Sequence, residues 1–246
     1  MRIALLSDIH ANAQALDACL VHAEGRGIDR LAFLGDFVGY GGDPGAVVRV
    51  VAAKVKGGAL ALKGNHDEAV EKGGGYFNEA AMAAIDFARA TLDAGERRFL
   101  DELPLIIRDG DLCFVHASAA NPGKWDYVDS ASAALRCADA AQTRYVFCGH
   151  VHDQALFFES TERKMREFRP VSGVAIPVRR GRRWVALVGS VGQPRDRNPA
   201  AAYAIFDDTS EQITFFRVRY DARAAAARIR ASGLPASLAY RVEQGI

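Results

Sequence analysis

Several things are missing from this chain, and each absence narrows what it can do. No apolar run among its 246 residues reaches the ~18–20 needed to cross a bilayer. Net charge is nearly absent: 31 Lys+Arg against 30 Asp+Glu leaves +1. No global field therefore draws the chain to nucleic acid or to an anionic membrane, and anion binding must be local. Cysteine is sparse. Cys19, Cys113, Cys137 and Cys148 are scattered with no Cys-x-x-Cys pair, which predicts buried, reduced thiols. There is no internal repeat, low-complexity tract or linker, so one domain spanning 1–246 is expected. The first apolar strand begins at Arg2 and leaves no room for a signal peptide, so a cytoplasmic location is expected.

What the chain does have is a pattern of histidines. Of the six, five (His10, His66, His116, His150 and His152) stand at or just past the end of an apolar stretch. His22 falls inside a helical pattern and reads as an ordinary helix-face residue. The first half alternates continuous apolar strands with helices: Arg2–Leu6, a helix over 13–24 capped by Asn12, Leu31–Leu34, a helix from Pro44 to Lys56, and Ala59–Leu62. That alternation predicts parallel β-α-β units buried on both faces. Tyr76–Leu92 and Ala94–Leu103 read as a helical pair that could form a lid over 76–103 or pack on a sheet. Asp109-Gly110-Asp111 marks a hairpin. After the strand Tyr145–Cys148 come six short strands with partial apolar alternation, then a helical C-terminus broken at Gly233-Leu234-Pro235. The class predicted is α/β, a two-sheet sandwich of mixed strands flanked by helices in α/β/β/α layers.

Polar residues cluster where the strands end. Leu62-Lys63 leads into Gly64-Asn65-His66-Asp67, and the other strand ends supply Asp8, His10, Asp36, His116, His150 and His152. Loops beyond the carboxyl ends of strands are where open α/β sheets bind ligands. Asp8 and His10 are two apart, as are His150 and His152, so on extended chain each pair would share a side. These are oxygen and imidazole donors without thiolate, a set that suits Mn, Fe, Zn or similar ions. Eight of these groups, Asp8, His10, Asp36, Asn65, His66, His116, His150 and His152, exceed the needs of one tetrahedral ion. They match two ions about 3.5–4 Å apart sharing a carboxylate, the arrangement used for in-line displacement at phosphorus. With only Asp8, Asp36 and a hydroxide to offset two divalent ions, the site keeps a positive surplus that favours an anionic ester. Each motif alone is weak; a lone Gly-Asp is a common turn, and a lone His116 is more often a core histidine than a ligand. All of them in this order, each closing a strand, are hard to read any other way.

The series Asp8-x-His10, Gly35-Asp36, Gly64-Asn65-His66-Asp67, His116 and Gly149-His150-Val151-His152 resembles the calcineurin-like metallophosphoesterase superfamily. Gly35 to Gly41, Phe77-Asn78 and Gly189 to Asp196 are similar to its bacterial branch of small phosphodiesterases and diadenosine-tetraphosphatase-like proteins. The resemblance implies two metal ions, manganese or iron ahead of zinc or nickel. Asp8, His10 and His152 would hold one, Asn65, His116 and His150 the other, and Asp36 would bridge. It implies a bridging hydroxide attacking a phosphodiester or nucleotide phosphoanhydride in line, on a small nucleotide-like substrate. His66 would contact phosphate and assist the leaving oxygen. Asp67 would orient His66 or a neighbour, or simply cap the next helix. The phosphoprotein phosphatases carry an arginine where this chain has Phe37-Val38-Gly39-Tyr40-Gly41, so Arg195 is a candidate phosphate clamp, with pairing to Asp196 as its bland alternative. Tyr40 is a candidate for stacking on a base, or for packing. The rival readings are a phosphoprotein or phosphomonoester phosphatase, and a non-catalytic metal-binding scaffold of the same fold.

Overall fold

The computed structural model describes residues 1–73 and 77–246. Its layering follows from continuous apolar strands. Successive side chains of a strand leave opposite faces. In β1 (Arg2–Leu6), Ile3 and Leu5 face one core while Ala4 and Leu6 face another, all of them buried. The same division recurs in β5 (Leu112–Val115), where Phe114 and Cys113 part to different cores, and in β6 (Tyr145–Cys148), where Phe147 and Val146 do. A strand that buries both faces needs cover on both, which is why these runs do not alternate with polar residues.

The cover is a second sheet on the inside and helices on the outside. One sheet runs β3 (Leu60–Ala61), β2 (Arg30–Phe33), β1, β11 (Ala201–Asp207), β12 (Gln212–Val218), β9 (Ala175–Pro177). The other runs β4 (Ile106–Asp109), β5, β6, β10 (Trp184–Val188), β7 (Gln154–Glu159), β8 (Met165–Phe168). Ile3, Leu5, Phe206 and Phe215 of the first sheet meet Phe114, Phe147, Leu156 and Trp184 of the second. Each such side chain withdrawn from water contributes about 1.5–3 kcal/mol. Helices α1 (Ala13–Glu24) and α2 (Pro44–Lys56) cover the first sheet, and α6 (Ala131–Ala141) covers the second. The fold is the expected α/β sandwich.

Asn12 caps α1 by accepting from the Ala15 amide at 3.1 Å. Two boundaries differ from expectation. Asn65 opens a short helix, α3 (Asn65–Lys72), so Asp67 lies within its first turn and caps it from there, its carboxylate accepting from the amide of Gly64, the residue just before the helix, at 2.9 Å. The helical pair is α4 (Glu79–Thr91) and α5 (Ala94–Glu102). Asn78 accepts from the Ala81 amide and sets the start of α4, while the expected start at Tyr76 lies outside the described residues. α4 buries Ala81, Ala84, Ile85 and Ala88. Its Ala81 and Ala84 share a cluster with α7 (Ala222–Ala231) and α8 (Ala236–Gln244).

Parallel pairing places the polar residues. β1, β2 and β3 run parallel, and so do β5, β6 and β10. Their carboxyl ends converge on one edge of the sandwich, where six loops can meet.

Candidate active site

Backbone bonds tie those loops together before any side chain is considered. Asp8 N donates to Gly35 O at 3.0 Å and His10 N to Asp36 O at 2.9 Å, extending the β1–β2 ladder past both strands. On the other side Gly192 N donates to Asp8 O, and Ser190 Oγ donates to the same oxygen at 2.8 Å. His150 N donates to Asp8 Oδ2 at 2.9 Å, joining the second sheet to the first.

The expectation that Asp8 and His10 share a side by extended geometry does not hold. Both have positive φ, +53° and +48°, as do Asp36, His150 and His152 at +56°, +66° and +71°. They converge because the chain turns sharply after each strand. Left-handed backbone in a residue with a Cβ costs on the order of 1–3 kcal/mol and persists only where its surroundings impose it. Five such residues in one cluster make strain a property of this site.

Two glycines show how tightly the loops close. A Cβ on Gly64 would stand 2.1 Å from Asp36 Oδ1, and one on Gly149 would stand 1.8 Å from Ser7 Oγ and 2.6 Å from Asp8 Oδ2. Glycine precedes Asn65 and His150 because a carboxylate lies against each position.

The buried side chains form three overlapping groups whose donor atoms lie within 4.8 Å of one another: Asp8, His10 and His152; His10, Asp36 and His66; Asp36, His116 and His150. His152 Nε2 is 3.3 Å from Asp8 Oδ1, and His116 Nε2 is 3.4 Å from Asp36 Oδ2. Asn65 Oδ1 stands 3.2 Å from His116 Nε2.

Three of the rings are oriented by backbone carbonyls. His10 Nδ1 donates to Val38 O at 3.0 Å, His116 Nδ1 to Leu34 O at 2.7 Å, and His152 Nδ1 to Gln193 O at 2.6 Å. A carbonyl only accepts, so each Nδ1 carries the proton and each Nε2 is turned inward, the arrangement usual for metal-binding histidine. His10 Nε2 and His152 Nε2 then face each other at 3.2 Å as two acceptors. Asp8 Oδ1 is buried with no hydrogen-bond partner among the described residues. Such a set of acceptors calls for a cation, and its oxygen and imidazole donors fit manganese, iron, zinc or nickel.

Electrostatics agrees. Burial would raise the carboxyls, but the imidazoles outweigh it, His152 at Asp8 and His116 then His66 at Asp36, and hold both well below the usual range. Burial would lower His116, yet Asp36 raises it to about 9, so a proton there does what a cation would do. Burial pushes His66 down to about 4.

His66 lies within 4.8 Å of donor atoms of His10 and Asp36, so proximity does not separate it from the candidate ligands. It differs from His10, His116 and His152 at its buried Nδ1, which has no hydrogen-bond partner among the described residues. Its ring is packed edge-on against His10 and Phe77, both at 4.9 Å, and near Tyr40 at 4.7 Å.

Asp67 forms no hydrogen bond with His66. Its carboxylate accepts from Asp36 N, Phe37 N, Val38 N and Gly64 N at 2.8, 2.8, 3.3 and 2.9 Å. It therefore fastens the turn carrying Asp36 to the turn preceding Asn65. Burial and the adjacent Asp36 charge push its carboxyl up to about 7, against the pull of the Gly64 and Phe37 amides.

A cavity of about 550 Å³ opens over the cluster. Tyr127 stacks on His150 at 4.2 Å on one wall, beside Trp125, whose Nε1 donates to Glu68 at 3.2 Å. Tyr40 and Arg195 also line the cavity. Tyr40 is nearly buried, its ring 4.6 Å from His10. Arg195 is not paired to Asp196, which is held by Arg217 at 2.7 and 3.0 Å. Sequence reasoning missed Arg241, Trp125 and Tyr127 as cavity residues, and no local motif marks them. It singled out Gly189 to Asp196 without a structural reason; Ser190 and Gln193 now supply one by holding Asp8 and His152.

Residues 1–211 match the calcineurin-like phosphoesterase superfamily domain. The chain belongs to that superfamily. It is 33% identical over 251 residues to an uncharacterized protein, MJ0912, of Methanocaldococcus jannaschii, covering 99% of this chain and 98% of that one. Among solved structures, a metallophosphoesterase from Sphaerobacter thermophilus is 35% identical with a TM-score of 0.89, covering 100% of this chain and 99% of the other. The hypothetical protein PH1004 from Pyrococcus horikoshii OT3 shares the fold at 19% identity, with a TM-score of 0.81 over 100% and 98% of the two chains. For a calcineurin-like phosphoesterase, clustered His and Asp donors at strand ends are where metal ions would bind.

Proposed function

We propose that this calcineurin-like phosphoesterase hydrolyses a phosphodiester or a nucleotide phosphoanhydride with two metal ions. Asp8, His10 and His152 would hold one ion, Asn65, His116 and His150 the other, and Asp36 would serve both. When bound, the ions supply positive charge for the phosphoryl oxygens and lower the pKa of a water that attacks phosphorus. The chain's own residues position and finish the reaction. Asn65 is a neutral donor and leaves the positive surplus intact. Asp67 fixes Asp36 through the backbone. His66, which lines the cavity, would meet the phosphoryl group and stabilise or protonate the departing oxygen. Tyr40 forms the wall against which the rest of the substrate rests, and Arg195 adds a guanidinium able to take two oxygens at once.

One observation carries this reading. Inward-facing Nε2 atoms, each fixed by a carbonyl at Nδ1, surround two buried carboxylates at the foot of an open cavity. The test is reconstitution with Mn²⁺, Fe²⁺, Zn²⁺ or Ni²⁺, metal analysis, and turnover of bis(p-nitrophenyl) phosphate followed by a nucleotide panel read by product identity. Metal-dependent release of p-nitrophenol is expected. A protein that holds two equivalents of metal yet hydrolyses none of these esters would refute it.

A further inference from the structure

We propose that Arg195 and Arg241 together form a second anion site, which takes a phosphoryl group of the substrate other than the one that reacts. The proposal rests on the phosphoesterase reading above and says which phosphoesters fit.

Both arginines line the cavity over the cluster, Arg195 from the loop after β10 and Arg241 from α8. Neighbouring arginines are neutralised by carboxylates: Arg217 by Asp196, Arg228 by Asp43 and Arg230 by Glu243. These two are not. Arg195 Nη2 donates to the neutral Gln193 Oε1 at 3.4 Å, its Cζ lies 5.9 Å from the Tyr40 ring centroid with the Tyr40 hydroxyl also within its reach, and its Nε is buried with no partner among the described residues. Arg241 Nε donates to the Ile246 main-chain oxygen at 2.8 Å, and its two terminal nitrogens have no hydrogen-bond partner among the described residues. Burial, and after it the charge of Arg195, press the Arg241 pKa downward; Tyr40 is the other group acting on it. Two like charges gathered in a partly buried wall are unfavourable until an anion joins them. Paired guanidinium groups suit a group with several oxygens in fixed geometry, as a phosphoryl has.

Position separates this anion from the reacting one. The Tyr40 ring lies 4.7 Å from His66 and 4.6 Å from His10, and the Arg195 guanidinium carbon lies 5.9 Å from the same ring. Arg195 and the cluster thus share one aromatic neighbour, and Arg241 lines the same cavity. That spacing suits a phosphoryl group adjoining the scissile one, through an anhydride or across a ribose. A cavity of about 550 Å³ also holds far more than a single phosphate.

The experiment is calorimetric titration of the manganese-loaded protein with AMP, α,β-methylene-ADP and adenosine 3′,5′-bisphosphate. The last two carry the second phosphoryl group by the two routes. At least one of them is expected to bind about tenfold or more tighter than AMP. Arg195→Ala and Arg241→Ala should each bring that ratio toward one, whereas Arg230→Ala should leave it as in the wild type. If Arg241→Ala does not fold, Arg241→Gln keeps the stem and reads the same ratio. Equal binding of all three nucleotides, or a preference that survives both cavity substitutions, would overturn the proposal. Turnover of bis(p-nitrophenyl) phosphate on the same preparations separates the two readings. An inert protein with an arginine-dependent preference defeats hydrolysis and keeps the site. An active one without the preference defeats the site alone.

Discussion

Asp67→Asn should cost this protein both stability and metal, although Asp67 is not among the proposed ligands. The carboxylate accepts four backbone N–H groups, two at each oxygen: Asp36 N and Gly64 N at Oδ2, Phe37 N and Val38 N at Oδ1. Asparagine keeps one oxygen and turns an NH₂ toward the other pair, so two donors lose a charged acceptor and face a donor instead. At roughly 1.5–3 kcal/mol for each bond to a charged group, the loss is about 3–6 kcal/mol. A domain's whole stability is about 5–15 kcal/mol. The damage is also directional, because the released amides belong to the turns that carry Asp36 and Asn65. Urea unfolding of the manganese-loaded protein at pH 8, above the Asp67 value of about 7, measures the first effect. Metal content after desalting measures the second. A variant that unfolds within about 0.5 kcal/mol of wild type, with its full metal complement, would show that Asp67 does not hold the site together.

Asp36→Ala should abolish metal retention at both proposed positions, read by elemental analysis; one retained equivalent would mean that Asp36 does not serve both. His66→Ala should keep the metals and lower kcat by about 10²–10⁴, and wild-type turnover with metals in place would remove His66 from the chemistry. Gly149→Ala forces a methyl against Ser7 and Asp8. Overpacking of this kind costs about 1–3 kcal/mol, so a lower urea midpoint and weaker metal retention are expected, and wild-type values for both would contradict the close approach.

Sequence and tertiary structure divided the work along physical lines. Strand positions were legible because a strand buried on both faces must be apolar at nearly every position, and Arg2–Leu6, Leu112–Val115 and Tyr145–Cys148 are read from that rule, whereas Trp184–Val188, grouped by sequence with the short alternating strands, pairs parallel to β6 and is buried on both faces. The polar residues ending those runs were legible for the same reason, since nothing in the core accounts for Asp8, Asp36, His116 or His150. How they converge was not. Spacing by two suggested extended backbone at Asp8 and His10, but the positive φ values come from hydrogen bonds to loops far along the chain, which local sequence does not encode.

The partners of a carboxylate or a guanidinium are likewise decided in three dimensions. Asp67 looked like a helix cap or a support for His66, and only the folded chain brings it under the Asp36 backbone. Arg195 sat beside Asp196 in sequence, and only the fold gives Asp196 to Arg217 and sets Arg195 near Arg241, on the C-terminal helix. The sequence by itself determined the layers and the identity of the donors, because hydrophobic period and donor chemistry are local properties. Tertiary structure alone decided which nitrogen of each ring faces inward and which charges stay unpaired, because both depend on neighbours that are distant in sequence.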